Sequence, residues 1–174
     1  LGIVPGQPQP SQKWFETWLL KTLSTFDPKR PVYVEAESRK IGNLHVPEAL
    51  IGQIRNGECL GVEASITARV SFLLKDYEYF LAEPALFIDR LGALQGLQSR
   101  ETLDNWRALA EAGHWQPLVQ ALLEMHYDPL YLRSQNRNYA GYRPLENFVT
   151  DDLSPAGIRI MAERLLQGRR AQIA

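Results

Sequence analysis

The chain has 174 residues, enough for one good-sized core with a small appendage, and its 19 basic against 20 acidic residues leave a formal net charge of −1. No global positive field draws it onto polyanions, so any nucleic-acid contact has to come from a local patch. A single cysteine, Cys59, excludes an internal disulfide framework and a multi-cysteine zinc site and fits a reducing, cytoplasmic setting. The sequence holds no run of the roughly 18 apolar residues that a membrane-spanning helix needs, and its start lacks the basic-then-apolar pattern of a signal peptide. No membrane partner is expected. The chain opens on Leu1 rather than Met, in the irregular stretch Gly2-Ile3-Val4-Pro5-Gly6-Gln7-Pro8-Gln9-Pro10, which reads as the start of a fragment or of a trimmed chain.

After that entry Ser11 is placed to cap a helix, because Trp14, Phe15, Trp18, Leu19, Leu23 and Phe26 recur at three- and four-residue spacing up to Asp27-Pro28. Residues 31–36, with Val32, Tyr33 and Val34, are predicted to form a strand. A helix with Pro47 in its first turn and Leu50, Ile51 and Ile54 on its apolar side follows, ending at Gly57. Residues 59–63 read as a second strand, and Ser65 as the cap of a longer helix carrying Val70, Leu73, Leu74, Tyr77 and Phe80. Helix, strand, helix, strand, helix is the order of a parallel α/β sheet. From Pro84 onward only helices are predicted, over residues 85–94, 100–112 and 115–125. Residues 126–152 lose periodicity and are rich in Tyr, Asn, Arg and Pro. A last helix opens at Ser154-Pro155 and runs to Arg169-Arg170.

Several segments carry candidate chemistry. The first predicted strand delivers Glu35 and Glu37 at its carboxyl end, where open α/β sheets bind ligands. Alternation puts the two on one face, and like charges there can raise a pKa, hold a cation or supply a general base. Two solvated carboxylates at a strand end are the alternative. Ser38, Arg39 and Lys40 follow directly, before the flexible Gly42. Such a loop suits phosphate oxygens, with Arg39 as a forked donor, and is equally an ordinary charged turn. Arg69 falls in the first turn of the helix after the second strand, where an arginine opposes the helix dipole. Its presence points to a bound anion or to a nearby carboxylate such as Glu63.

His126-Tyr127-Asp128-Pro129-Leu130-Tyr131 closes the helical run with a polar aromatic cluster. A His beside an Asp can support proton transfer, whereas a helix-terminal His followed by a turn-forming Asp-Pro is the simpler account. Tyr131, Arg133, Arg137, Tyr139, Tyr142 and Arg143 then alternate rings with guanidinium groups, and residues 131–147 hold three arginines against Glu146 alone, a local charge of +2. Rings stacked on unpaired bases with arginines on phosphates would hold a single-stranded RNA loop. A Tyr-rich packing loop fits the same residues. Cys59 has no His or Lys beside it and reads as a small buried hydrophobe. No G-x-x-x-x-G-K-[ST] loop occurs, so a triphosphate is not cradled by that device, and no metal site is expected.

Taken together, Gly6-Gln7-Pro8-Gln9-Pro10-Ser11-Gln12-Lys13 before Phe15-Glu16, then Val34-Glu35-Ala36-Glu37-Ser38-Arg39-Lys40-Ile41-Gly42, then Glu63 with Arg69-Val70 and Tyr77, then His126-Tyr127-Asp128-Pro129 and Tyr131, resemble tRNA 2-selenouridine synthases in order and spacing. The resemblance runs from about residue 5 to about residue 140. It implies a rhodanese-like domain with a catalytic cysteine, then a P-loop domain, then a helical tail. The rhodanese cysteine and the phosphate loop have no counterpart in this sequence, so the chain alone is expected to be inactive.

The resemblance further implies conversion of wobble 2-thiouridine in tRNA to 2-selenouridine through an S-geranylated intermediate, with geranyl diphosphate and selenophosphate as substrates and no cofactor held by this chain. On that basis Glu35 and Glu37 are the catalytic candidates, and Ser38, Arg39, Lys40 and Arg69 the diphosphate-binding ones. His126, Tyr127, Tyr131, Arg133, Arg137, Tyr139, Tyr142 and Arg143 are the candidates for contacting the tRNA anticodon loop. The expected fold is α/β, with a partial P-loop-type parallel sheet over residues 1–83 and a mainly α-helical tRNA-binding tail over residues 84–174. Its sheet is expected to expose an open edge that the missing segments of the same protein would cover. Rival readings are a small-molecule kinase of the nucleoside or shikimate kind and a non-catalytic RNA-binding module.

Overall fold

A computed structural model describes residues 8–36, 39–139, 144 and 147–173. It is a mainly helical α/β structure that divides into two compact units, Leu1–Glu58 with Arg133–Arg143, and Cys59–Leu132 with Pro144–Ala174. None of the three boundaries along the chain falls at residue 83, because later parts of the chain return to both units.

In the first unit, helix α1 (Gln12–Leu23) begins where expected: the Ser11 hydroxyl accepts from the Trp14 N–H at 3.3 Å, a cap contributing about 1 kcal/mol. None of its residues is buried, and Trp14 and Trp18 lie about half exposed with ring centroids 5.4 Å apart. The strand expected over residues 31–36 does not form. That segment is extended, yet Val32, Tyr33 and Val34 keep 43–55% of their surface exposed. A strand is defined by a ladder with a neighbour, and here the Ala36 carbonyl instead accepts from the Gln135 side-chain amide at 2.7 Å.

Strand structure appears a few residues later. Strands β1 (Lys40–Ile41) and β2 (Leu44–His45) form an antiparallel hairpin pairing Lys40 with His45 and Ile41 with Leu44. Gly42, read from sequence as a flexible loop residue, turns this hairpin at φ +60°. Two glutamine side chains then act as a strand would. Gln9 donates to the Ile41 carbonyl at 2.9 Å and accepts from the Asn43 N–H at 2.7 Å, while Gln12 donates to the His45 carbonyl at 2.8 Å and accepts from the His45 N–H at 2.9 Å. The glutamines of the entry segment are therefore clamps on the hairpin. Helix α2 (Glu48–Arg55) follows and buries Ile51.

In the second unit, strand β3 (Gly61–Glu63) forms as expected, and Cys59 before it is only partly buried. Its partner comes from the stretch that had read as irregular: β4 (Asn147–Val149) pairs parallel to it, Val62 opposite Phe148. The Asp151 carboxylate just beyond β4 accepts from the Ser65 N–H at 2.9 Å, and this bond holds its pKa below the ordinary carboxylate value. Ser65 itself caps α3 (Ile66–Asp76) by accepting from the Ala68 N–H at 3.3 Å.

The helical run then packs through α4 (Glu78–Ala82), α5 (Pro84–Leu91), α6 (Arg100–Glu111) and α7 (Trp115–Leu122). Leu91, Leu103, Trp106, Ala110 and Leu118 form its core. Phe80, Phe87 and Trp115 connect α4, α5 and α7 by edge-on ring contacts at 5.7 and 5.8 Å. A π-helical turn, Leu123–Tyr127, leads into α8 (Asp128–Asn138), and α9 (Pro155–Ile173) ends the chain. Helix α8 corrects the expectation of irregular structure after residue 126. Most of its surface is polar and exposed, with Gln135 its one buried residue, so it shows no apolar stripe for periodicity to detect.

The hairpin clamp is open to a paired test. A Cβ at Gly42 would meet the Gln9 amide at 2.5–2.8 Å on a left-handed backbone, whereas one at Gly52, inside α2, meets nothing within 4 Å. Gly42→Ala is expected to destabilise by about 1–2 kcal/mol and Gly52→Ala to stabilise by about 0.5–1 kcal/mol, read as shifts in opposite directions on urea unfolding. Equal shifts would refute the clamp.

Candidate functional site

The most organised polar cluster lies in the second unit, where α3 meets the turn between α7 and α8. Arg69 stands in the first turn of α3, and its guanidinium forks onto Asp128: Nη1 donates to Oδ2 at 2.9 Å and Nη2 to Oδ1 at 2.6 Å. The two side chains keep 28% and 33% of their surface exposed. The hydrogen bond to Asp128 raises the arginine's pKa above its ordinary value and burial opposes it, so the group is a permanent cation. The carboxylate expected near Arg69 is therefore Asp128, 59 residues away, and not Glu63.

Asp128 reaches that position because the helix widens just before it. The Asp128 N–H bonds the Leu123 carbonyl, five residues back, which is π-helical geometry and a frequent feature of functional sites. Pro129 follows and has no N–H, so it cannot serve the Met125 carbonyl as an α-helical residue would. The Gln98 side-chain amide does so at 3.1 Å, and the same nitrogen lies 3.3 Å from His126 Nδ1. Tyr127 and Tyr131, one turn apart, stack at 5.6 Å with ring planes 13° apart. Arg69, His126, Tyr127 and Tyr131 are thus brought together around Asp128.

The remaining sequence candidates belong to the first unit. Glu35 is exposed on the extended segment and Arg39 forms a largely exposed ion pair with Glu48. Lys40 lies in β1. Arg133 and Arg137 occupy exposed positions one turn apart on α8, whereas Tyr139 is buried at 4% exposure. Of the two roles left open for its ring, burial fits packing and does not fit stacking on a base. Glu37, Ser38, Tyr142 and Arg143 lie outside the described residues.

Sequence reasoning missed Gln98 altogether and weighed Asp128 as a neighbour of His126 or a turn residue, not as the anion for Arg69. Pro129 was the available signal for Gln98, since a proline inside a helix frees a carbonyl that some donor has to meet. Among the described residues no group of three His, Cys, Asp or Glu side chains is arranged to hold a metal ion, and no helix is long and apolar enough to cross a membrane.

Comparison with known proteins gives a consistent family. The profile described as the tRNA 2-selenouridine synthase AAA domain matches residues 2–108. The tRNA 2-selenouridine synthase of Nitrosomonas europaea is 28% identical over 177 aligned positions, covering 75% of this chain and 45% of that protein. The synthase of Alcanivorax borkumensis is 32% identical over 158 positions, covering 75% and 43%, and that of Nitrosomonas eutropha is 25% identical over 177, covering 75% and 45%. The chain thus spans less than half the length of these relatives. No solved structure matches it.

The fork makes a quantitative expectation. Arg69→Met, Asp128→Asn and the double variant should show a coupling of about 1 kcal/mol in urea unfolding, a value set by a bidentate pair that remains about one-third wet. Additivity within about 0.3 kcal/mol would reduce the pair to a surface contact.

Proposed function

The chain belongs to the family of the tRNA 2-selenouridine synthase AAA domain, and on that premise we propose that it is part of an enzyme converting wobble 2-thiouridine in tRNA to 2-selenouridine. The reaction proceeds through an S-geranylated intermediate, with geranyl diphosphate and selenophosphate as substrates and the rhodanese-like and phosphate-loop segments of the same protein as partners in catalysis. The observation that supports this most is the Arg69–Asp128 fork. It joins α3, inside the matched stretch, to the His126–Tyr131 segment beyond it, so two motifs far apart in sequence serve one place.

In this reading each group has a distinct role. Glu35 and Glu37 supply acid–base or electrostatic assistance at the reacting sulfur. Ser38, Arg39 and Lys40 receive diphosphate oxygens, and Arg69 adds the donors that its fork with Asp128 leaves over, two of its five being used. The segment from His126 to Arg143 receives the anticodon loop. Arg133 and Arg137, one turn apart and exposed, neutralise phosphates there, joined by Arg143. Tyr127 and Tyr131 or Tyr142 offer ring faces to bases.

Two measurements on the intact enzyme examine these roles. Glu37→Gln should slow appearance of the geranylated or selenated nucleoside by roughly 10²–10⁴-fold with little change in stability, followed by mass spectrometry of digested tRNA. Near-normal turnover would make Glu37 a bystander. Arg133→Ala and Arg137→Ala should each flatten the log–log salt dependence of tRNA binding by roughly 0.7, read by filter binding across a salt series. Unchanged slopes in both variants would place the RNA site elsewhere.

A further inference from the structure

The Gln98 amide determines more than the shape of the turn. A carbonyl oxygen can only accept, so the Gln98 atom 3.1 Å from the Met125 carbonyl has to be the NH2 group, which settles the orientation of an amide that is otherwise ambiguous. That same nitrogen is 3.3 Å from His126 Nδ1 and has a second hydrogen to give. In the neutral ring Nδ1 is then the acceptor, and the proton resides on Nε2. His126 is half-buried and Gln98 likewise, so the contact is partly shielded from water.

We propose that Gln98 is a positioning residue that holds His126 as the Nε2–H tautomer, so that the ring offers a hydrogen-bond donor to an oxygen acceptor of the bound tRNA. His126 in this state is not a general base, because its one basic nitrogen is occupied by Gln98. The RNA half of this statement rests on the proposed function; the tautomer half does not. Gln98 lies inside the family-matched residues and His126 outside them, so the bond ties the two stretches together independently of the Arg69 fork. Asp128, committed to Arg69, and Pro129, which has no N–H, do not duplicate it.

The test uses the intact protein with nitrogen-15-labelled histidine. At alkaline pH, long-range proton–nitrogen correlation should show His126 with Nε2 protonated and Nδ1 bare. Gln98→Leu should produce a tautomer mixture, and Gln98→Glu, which can only accept, should shift the proton to Nδ1; circular dichroism verifies that both fold. His126→Ala should weaken tRNA binding by about tenfold, the loss expected for one hydrogen bond to a charged acceptor. Gln98→Leu should weaken it by no more than about twofold, because about half of a tautomer mixture still presents Nε2–H, and the double variant should lose no more than His126→Ala. His126→Gln, whose amide N–H stands where Nε2–H stood, should restore most of the affinity whichever residue occupies position 98. A wild-type ring protonated on Nδ1 overturns the tautomer lock whatever the tRNA result. The expected tautomer combined with unchanged tRNA affinity in His126→Ala overturns the donor role and, with it, this part of the proposed RNA site, while the lock stands.

Discussion

A missing N–H organises the candidate site. Pro129 cannot continue the α-helical ladder from α7, and the chain accommodates it by widening into a π turn over Leu123–Tyr127 before α8 begins. An inserted residue of this kind rotates the side chains that follow it, and here it brings Asp128 onto Arg69. The carbonyl left over at Met125 recruits Gln98, and Gln98 in turn meets His126. With an N–H at position 129, a regular helix would satisfy the Met125 carbonyl itself and leave Gln98 with no reason to approach. One backbone constraint thus links the ion pair and the histidine's orientation.

The same unit is held together by pairings that close very long loops. Strand β3 finds its partner in β4, and the Asp151 carboxylate beyond β4 bonds the Ser65 N–H, 86 residues earlier, at the mouth of α3. Closing a loop of that length costs only a few kcal/mol more than closing a short one, because the penalty grows logarithmically. The helical core of Leu91, Leu103, Trp106, Ala110 and Leu118 lies within the loop and offsets that cost by apolar burial. Consequently the region after residue 108, where the family match ends, is a structural part of the unit that contains β3 and α3.

What sequence could reveal followed the range of the physics involved. Helices announced themselves because their apolar spacing and their caps are local: Ser11 and Ser65 cap where the sequence placed them. Strand β3 was legible by its apolar character, but its partner was not, since pairing is decided by tertiary contact. The hairpin at Lys40–His45 escaped notice because Gln9 and Gln12, which complete its edge, lie more than 30 residues away. Residues 31–36 have strand composition without strand pairing. Helix α8 was missed because its surface is mostly polar, and the choice between packing and stacking for Tyr139 stayed open because nothing in its neighbours marks it as buried. Arg69 was legible as a cation needing an anion, whereas its carboxylate came from a turn that sequence alone could not fold back.

The two arginines singled out for a diphosphate differ in what they can do. Arg39 pairs with Glu48 while both side chains remain mostly wet, and an exposed single contact of this sort contributes at most about 1 kcal/mol. Another anion can therefore displace Glu48 from Arg39 at little cost. Arg69 is held in a two-point fork and is less exposed. Breaking it would strand Asp128 at the start of α8 with its charge unmatched, and truncating one member of a shielded pair is costly for that reason. Arg69 is therefore a fixed contact and Arg39 an exchangeable one. Each pair acts within its own unit: the exposed one around Arg39 can reorganise, while the fork keeps the His126–Tyr131 turn in place.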